Sequence, residues 1–540
     1  MSQSKPEEKE QGAVRRHPIM AALLPALLFA GLSASPLVLA IGGVKDSAKK
    51  EFRRSTPFPA VSWSAEDVDS FPSGFEAWYK DAFGLRTELI SAFNWSSAVG
   101  LGESPTDRFV IGKDKWIFHD ESGAVDTFRG VLPLDHSELE QWRAALEQRS
   151  RWLASQGSTF LYAPIPSKLE VYPEQLPEHI KKIGVSRRAQ LLEYLAEHSS
   201  VHTLDLLPAL TAAKATDAPG RHIYFPYGVH WTHLGGRVAA EAIAERLREL
   251  GVQALSPGPL HFYKVTAANH PIDSLAPRLH LEDYFTDTES ILQPKGKAQV
   301  KEVKWKKKQH PGDSHWKGSI PSLPTAAVYH DSFGIWVLSF IARSFSDTFG
   351  LRHVYFDPSF LKDLKPDVVI QLQTERLLVA QYPMLLSGMD DDAFAAAFQA
   401  SDDVRLAVSL DKPLEFLKDF DDGSVSVLAG AEDPRLRVET RSRAAVLGFP
   451  AFDPVAEDRC LVLRLEIQTS KPSKADIFFK TQDDPEFDAS RSYPLEVKAG
   501  RHVYYVPMSY RTMLGEVGLR LSARPSQFLL RAVEIRAVDF

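Results

Sequence analysis

Residues 325–345 read "TAAVYHDSFGIWVLSFIARSF", and the fold class turns on them. Thr325 to Tyr329 is a short, largely apolar run that reads as a buried strand. Asp331 and Ser332 favour a tight turn. Residues 335–345 then continue as an apolar helix. A strand that passes through a sharp turn into a helix is the unit of an α/β sheet. The same layout is chemically useful. A serine in that turn projects its Oγ at the carboxyl end of the sheet, beside the N–H groups that open the helix. Ser332 is therefore a candidate nucleophile, with its own backbone N–H as the default oxyanion donor. A plain alternative is that Asp331 and Ser332 only cap the helix.

Outward from this unit the pattern repeats. "GSTFLYAPI" (157–165) is a buried strand after the helix "SELEQWRAALEQRSRWLASQ" (137–156). "VHTLDLLPAL" (201–210) reads as a strand running into a helical turn. "GRVAAEAIAERLREL" (236–250) has apolar positions at helical spacing, with Glu and Arg on the other face. "KPDVVIQLQTERLL" (365–378) is one more buried strand with its exit loop. Alternating strands and helices predict a parallel sheet covered on both faces, spanning residues 71–425. Beyond it, residues 430–540 hold seven short alternating runs, from "RLRVETRS" to "FLLRAVEIRAV". Their spacing predicts a jelly-roll-like β-sandwich.

The chain has 540 residues, enough for two or three domains. A net charge of -7 gives no basic footprint for nucleic acid. Cys460 is the single cysteine, so no internal disulfide forms, and no thiolate zinc or iron-sulfur cluster is suggested. Cys460 itself reads as a small buried apolar residue. Residues 18–44 carry no charge, long enough for a membrane-spanning helix. Two readings stand: an uncleaved signal anchor, or a signal peptide cleaved near "VLA" (38–40). Residues 1–17 are then a cytoplasmic tail, 45–70 a linker, and the bulk of the chain is exported to the periplasm or beyond, with the bacterial inner membrane as its anchor. Flanking charges leave orientation open. "KGKAQVKEVKWKKK" (295–308) has seven Lys against one Glu, a local net of +6. It reads as a solvated insertion loop or as a contact for an anionic polymer or lipid head groups.

A serine hydroxyl needs a base. "YFPYGVHWTHLGG" (224–236) offers His230, placed just before a helix. Alone, a His-Trp pair there also fits packing and capping. His230 and His233 are three apart, but no third metal ligand accompanies them.

The two stretches together, "GVHWTHLGG" and "YHDSFG", resemble elements of the SGNH-hydrolase-like domain of the alginate O-acetyltransferase superfamily. "FEAWYKDAFGLR" (75–86), "VIGKDKWIFHD" (110–120), "PSKLEVYPEQLP" (166–177) and "KPDVVIQLQTERLL" support the resemblance in the family's order, over roughly residues 70–380. It implies a periplasmic or extracellular enzyme that moves acetyl groups onto a polysaccharide, without a cofactor. It implies a membrane-bound O-acyltransferase partner as acetyl source. Some members carry a carbohydrate-binding β-domain, matching 430–540 in class. Carried over, Ser332 is the acetyl-accepting nucleophile and His230 its base, within the His-Trp element that includes Trp231.

One position departs from the pattern. The family's usual Asp stands two residues before the His, where this chain has Gly228. Three explanations are open: a dyad with a carbonyl or water orienting His230, a carboxylate from elsewhere, or a weak or inactive site. Among other matched positions, Arg86 lies near the site or pairs with Asp81 between helices. Lys168 contacts an anionic substrate or is a solvated loop residue. Glu375 and Arg376 support the sheet's active edge. Residues 430–540 contain no Trp, so Tyr493, Tyr504, Tyr505 and Tyr510 are the aromatic faces left for a sugar. The leading function is polysaccharide O-acetyl transfer. Its rivals are a carbohydrate acetyl esterase and a non-catalytic glycan-binding scaffold of an exopolysaccharide secretion complex.

Overall fold

The computed structural model describes residue 29, residues 56–59 and residues 65–538 with short gaps, the longest at 411–422 and 482–491. The expected membrane segment at 18–44 and its tail lie outside the described residues, apart from Phe29. No helix among the described residues is long and apolar enough to cross a membrane. The chain divides into two compact units. One holds residues 1–119, 226–229 and 269–288, and the other the remainder.

In the first unit, helix α1 (Ala65–Ala82) begins inside the stretch expected to be linker, and α2 (Arg86–Trp95) follows. Strands β1 (Phe109–Ile111) and β2 (Ile117–His119) form an antiparallel hairpin. Phe109, Ile111 and Ile117 pack with Leu275, Leu279 and Phe285. The Val229 N–H donates to Asp273 Oδ2 at 2.9 Å, and the Leu275 N–H to the Tyr227 carbonyl at 2.8 Å.

The second unit holds the α/β sheet. Helix α3 (His136–Ser155) starts with a capping box in which Asp135 and Glu138 bond each other's backbone N–H. It leads into β3 (Thr159–Ile165). Helices α4 (Arg187–His198) and α5 (His233–Glu249) come before the hairpin β4 (Val300–Val303) and β5 (Ser314–Gly318). Strand β6 (Thr325–His330), helix α6 (Gly334–Ile341), β7 (Asp347–Leu351) and β8 (Val368–Thr374) complete it. The six-stranded order is β3-β8-β6-β7-β5-β4. The first four strands are mutually parallel, as the alternation predicts. The last two are antiparallel, because the short β4–β5 connection cannot cross over to make a parallel pair. Two sequence expectations change here. Residues 201–210 contribute only a bridge between Thr203 and Tyr162 before a helix at Leu207–Lys214. Part of the lysine run is an edge strand rather than a loop. Trp142, Leu146, Leu191 and Leu195 from α3 and α4 bury against Phe160, Tyr162, Ala327 and Tyr329 on one face of the sheet.

Helix α7 (Asp391–Ala400) connects to the β-rich region. One sheet runs β10 (Gly423–Leu428), β11 (Arg435–Thr440), β18 (Ser526–Val538), β13 (Cys460–Thr469) and β16 (Gly500–Met508), with β9 (Val404–Ala407) also on β18. The other runs β12 (Leu447–Gly448), β17 (Met513–Leu521), β14 (Ser473–Thr481) and β15 (Ser492–Val497). Each of the seven expected runs contains a strand among the described residues, and the region also takes in the strands at Val404–Ala407 and Gly423–Leu428. Leu463, Leu465, Ile467, Ile477, Phe479, Val517 and Ile535 form the buried layer between the sheets. Phe394 and Phe398 of α7 bury against Ala145, Val462 and Val538, fastening the β-rich region to α3. Cys460 is half-buried at that junction, less enclosed than its residue type suggests. The tyrosines expected to serve sugar binding are largely used in packing. Tyr493 is buried against Phe479, Tyr505 packs on Phe398, and the Tyr504 hydroxyl accepts from the Lys498 N–H. Tyr510 lies outside the described residues.

Candidate active site

The turn after β6 is built by Asp331. Its Oδ1 accepts the Phe333 N–H at 2.9 Å, and its Oδ2 accepts the Thr374 N–H at the end of β8, also at 2.9 Å. Both carboxylate oxygens therefore hold backbone. Asp331 fixes the elbow and clamps it to the neighbouring strand. The Ser332 N–H makes no hydrogen bond among the described residues. His330, buried beneath the turn, bonds the Asp331 carbonyl through Nδ1 at 2.6 Å, and burial pushes its pKa down. A Cβ on Gly334 would sit 2.0 Å from that Nδ1, so the helix can start here only with glycine.

His230 arrives on a second device. Tyr224 and Trp231 form an antiparallel bridge, and the Phe225 N–H bonds the His230 carbonyl at 3.1 Å. Thr232 then caps α5, accepting from the Gly235 N–H. His230 Nε2 lies 2.6 Å from Ser332 Oγ, across 102 residues of sequence. Its ring stacks on Trp336 with centroids 4.5 Å apart and meets Phe333 at 4.6 Å. Trp231 is fully buried and donates through Nε1 to the Phe333 carbonyl at 3.0 Å, tying the His segment to the Ser segment.

Small residues make this approach feasible. A Cβ on Gly236 would lie 2.3 Å from the Trp336 carbonyl oxygen, and one on Gly235 would lie 2.3 Å from the Ile223 carbonyl oxygen. Gly236→Ala is expected to push α5 and α6 apart, costing about 1–3 kcal/mol and loosening the imidazole from Trp336. Thermal melting and esterase rate measured together check this; an unchanged rate with an unchanged midpoint refutes it.

The remaining expected residues take structural places. Lys168 is buried, and its Nζ donates to the Phe225 carbonyl at 3.0 Å. It braces the His-bearing segment instead of meeting an anionic substrate at the surface. Glu375 accepts the Ser167 N–H at 2.9 Å, and burial together with the Glu170 charge pushes its pKa well up. Arg376 is half-buried just beyond β8, and its carbonyl accepts the Val379 N–H. Arg86 opens α2, but its side chain and that of Asp81 lie outside the described residues. Sequence reasoning missed Trp336, which stands in the first turn of α6, four residues after Ser332. It also missed Arg188, which joins Glu170 at 2.7 Å and Asp205 at 2.5 Å in a buried network. No group of three or more potential metal-ligating side chains occurs among the described residues.

Part of the chain matches known proteins. Residues 109–308 match the family model described as the SGNH hydrolase-like domain of the acetyltransferase AlgX. A probable alginate O-acetylase AlgJ of Pseudomonas syringae pv. tomato is 28% identical over 199 residues, 36% of this chain and 47% of that protein. Its counterpart in Pseudomonas putida is 31% identical over 144 residues, 25% of this chain and 33% of that protein. The chain thus spans less than half the length of these relatives. The solved structure of Pseudomonas aeruginosa AlgX aligns over 83% of this chain and 99% of its own, at 13% identity and a TM-score of 0.34, a score from which nothing further follows. Over residues 109–308 the chain is similar to the SGNH hydrolase-like domain of the alginate O-acetyltransferases.

Proposed function

We propose that this chain transfers acetyl groups to a secreted or cell-surface polysaccharide through an acetyl-Ser332 intermediate. The hydrogen bond of 2.6 Å between Ser332 Oγ and His230 Nε2 carries the reading. In that role the hydroxyl donates, Nε2 accepts, and Nδ1 holds the imidazole's own proton. Ser332 Oγ adds to the acetyl carbonyl as His230 takes its proton. The intermediate collapses, and the donor's leaving group departs with that proton. A sugar hydroxyl then gives its proton to His230, adds to the ester, and Ser332 leaves as the free hydroxyl. The Ser332 N–H supports the oxyanion in both halves.

The reading includes an exported chain held at the bacterial inner membrane by residues 18–44 and supplied with acetyl groups by a membrane-bound O-acyltransferase. The relatives' names specify alginate, which makes alginate one acceptor to try. The rival esterase reading differs only in the acceptor, with water replacing the sugar hydroxyl. Gly228 favours a second rival, a glycan-binding scaffold without catalysis.

The test is a chromogenic acetate as donor, with and without oligosaccharide acceptors. Acetylated oligosaccharide is expected, formed at the expense of free acetate. Acetate release alone would establish the esterase, and no turnover of any donor would leave the scaffold.

A further inference from the structure

The lysine run has a place in the sheet that its composition does not reveal. Strand β6 ends at Ser332's turn, so its upper end is the catalytic edge. Strand β7 runs parallel to β6, β5 antiparallel to β7, and β4 antiparallel to β5. Strand β4 therefore points the same way as β6. The segment that follows it, from Lys304 to the start of β5 at Ser314, leaves the sheet at the same edge as Ser332. Three strand spacings separate β4 from β6, about 14 Å at ~4.8 Å each.

Trp305 and Asp313 anchor the described residues of the segment. Trp305 is half-buried, with its ring 5.4 Å from that of Phe349 on β7. Lys304 and Lys306 flank it and are exposed, as is Lys308. The far end is fastened by Asp313, which is buried and accepts the His310 N–H at 2.8 Å and the Arg352 N–H at 2.9 Å. Lys304, Lys306 and Lys308 have no ion-pair partner among the described residues. The nearby acids are otherwise engaged or distant: Asp313 faces His353, and Asp347 pairs with His315 and Lys317 at the opposite end of β5. Glu302 is the one exposed acid on β4. Lysines on an edge strand also discourage strand addition. That role, however, needs charges along the strand, whereas these three lie beyond its end.

We propose that Lys304, Lys306 and Lys308 form an electrostatic binding site for an acidic polysaccharide, holding a carboxylate-bearing stretch of the acceptor while another residue of it reaches Ser332. This rests on the acetyltransferase reading for its purpose but not for its measurement. Carboxylates spaced along a sugar chain meet several ammonium groups on one segment, on the edge where the acceptor must arrive. An anionic membrane would satisfy the same charges, but the location beside the nucleophile favours the acceptor.

Binding of oligogalacturonate, of uncharged cello-oligosaccharide and of vesicles containing an anionic phospholipid is measured by titration of the full chain. The triple variant Lys304→Glu/Lys306→Glu/Lys308→Glu is compared with wild type and with the milder triple glutamine variant. Oligogalacturonate is expected to bind wild type and to weaken roughly tenfold or more in the glutamate variant at low salt, less in the glutamine variant, and less in both at high salt. Chromogenic acetate hydrolysis is expected to stay unchanged, which also shows that the variants are folded. Equal affinity of wild type and glutamate variant for oligogalacturonate overturns the site. So does binding of cello-oligosaccharide as tight as that of oligogalacturonate, or a lysine-dependent preference for the anionic vesicles. Lysine-dependent binding in a chain that turns over no acetyl donor would keep this site and remove the acetyltransferase reading.

Discussion

Hydrolysis of a chromogenic acetate is expected to fall about 10²-fold in Ser332→Ala and equally in His230→Ala, with no further fall in the double variant. The equality follows from the geometry. A hydroxyl 2.6 Å from a ring nitrogen is activated only by that nitrogen, so either loss removes the same proton transfer. The modest size follows from Gly228. Removing the serine of a complete triad costs about 10⁶, and removing its orienting acid about 10⁴. A site without a carboxylate at position 228 has roughly the difference left to lose. The counterpart is Gly228→Asp, which restores a carboxylate two residues before His230. It is expected to raise the rate toward the ~10⁴-fold that such an acid contributes. Asp331 is the nearest acid in sequence to Ser332, and its two oxygens hold the Phe333 and Thr374 N–H groups. Steady-state kinetics on the four variants decides the matter. A full rate in Ser332→Ala would remove Ser332 from the chemistry. A flat response to Gly228→Asp would mean that the imidazole is oriented by another group.

The elbow was legible because strand, turn and helix each leave a local mark, and Ser332 sits where the marks meet. The partnership with His230 was not, since spacing along the chain carries no information about a contact spanning 102 residues. Only the order of short motifs suggested it. Nothing in the sequence marked Gly235 and Gly236 as contact positions. Their actual service is to let two segments approach, a property of the partner backbone as much as of their own. The lysine run read as a loop because lysine is a poor strand former. Its strand exists through pairing with β5, which single-chain periodicity does not register. Tyr493 and Tyr505 misled in the other direction: an aromatic ring suits a sugar platform and a core equally, and only packing distinguishes them. Glu375 was read as a support of the sheet's active edge, but its partners Glu170 and Arg188 went unread, because burial of an ion pair leaves no trace in composition.

That buried network supports the second large effect. Arg188, Glu170 and Glu375 are each almost fully buried. Burial disfavours the Glu170 carboxylate, but the Arg188 guanidinium, with hydrogen bonds from Glu375 and Ser186, overcomes it and holds the pKa at about 2. Glu375 lies 3.4 Å from Arg188 Nε, yet burial and the adjacent Glu170 charge keep it protonated well above the usual carboxylate range. The two acids should therefore respond oppositely. Glu170→Gln leaves Arg188 with only half-exposed Asp205 and a neutral neighbour, and is expected to cost about 3 kcal/mol, the lower end for a broken buried pair. Glu375→Gln replaces a protonated acid with a neutral amide of the same shape, and near neutral pH is expected to leave stability unchanged or raised. The pH dependence follows with matching signs. Glu170 stabilises the fold above its unfolded value near 4.5, and this is lost as pH falls toward 2. Glu375 acts in reverse, its contribution present below 4.5 and fading as pH rises through its elevated folded value. Thermal melts of wild type and both variants, at neutral pH and through the acid range, test the assignment. A Glu375→Gln variant that melts as low as Glu170→Gln would show that both acids are charged and that Arg188 is shared between them. The consequence reaches the chemistry, because Glu375 follows Thr374, whose N–H holds Asp331 and with it the Ser332 elbow. Esterase rate should then decline with stability in Glu170→Gln and persist in Glu375→Gln.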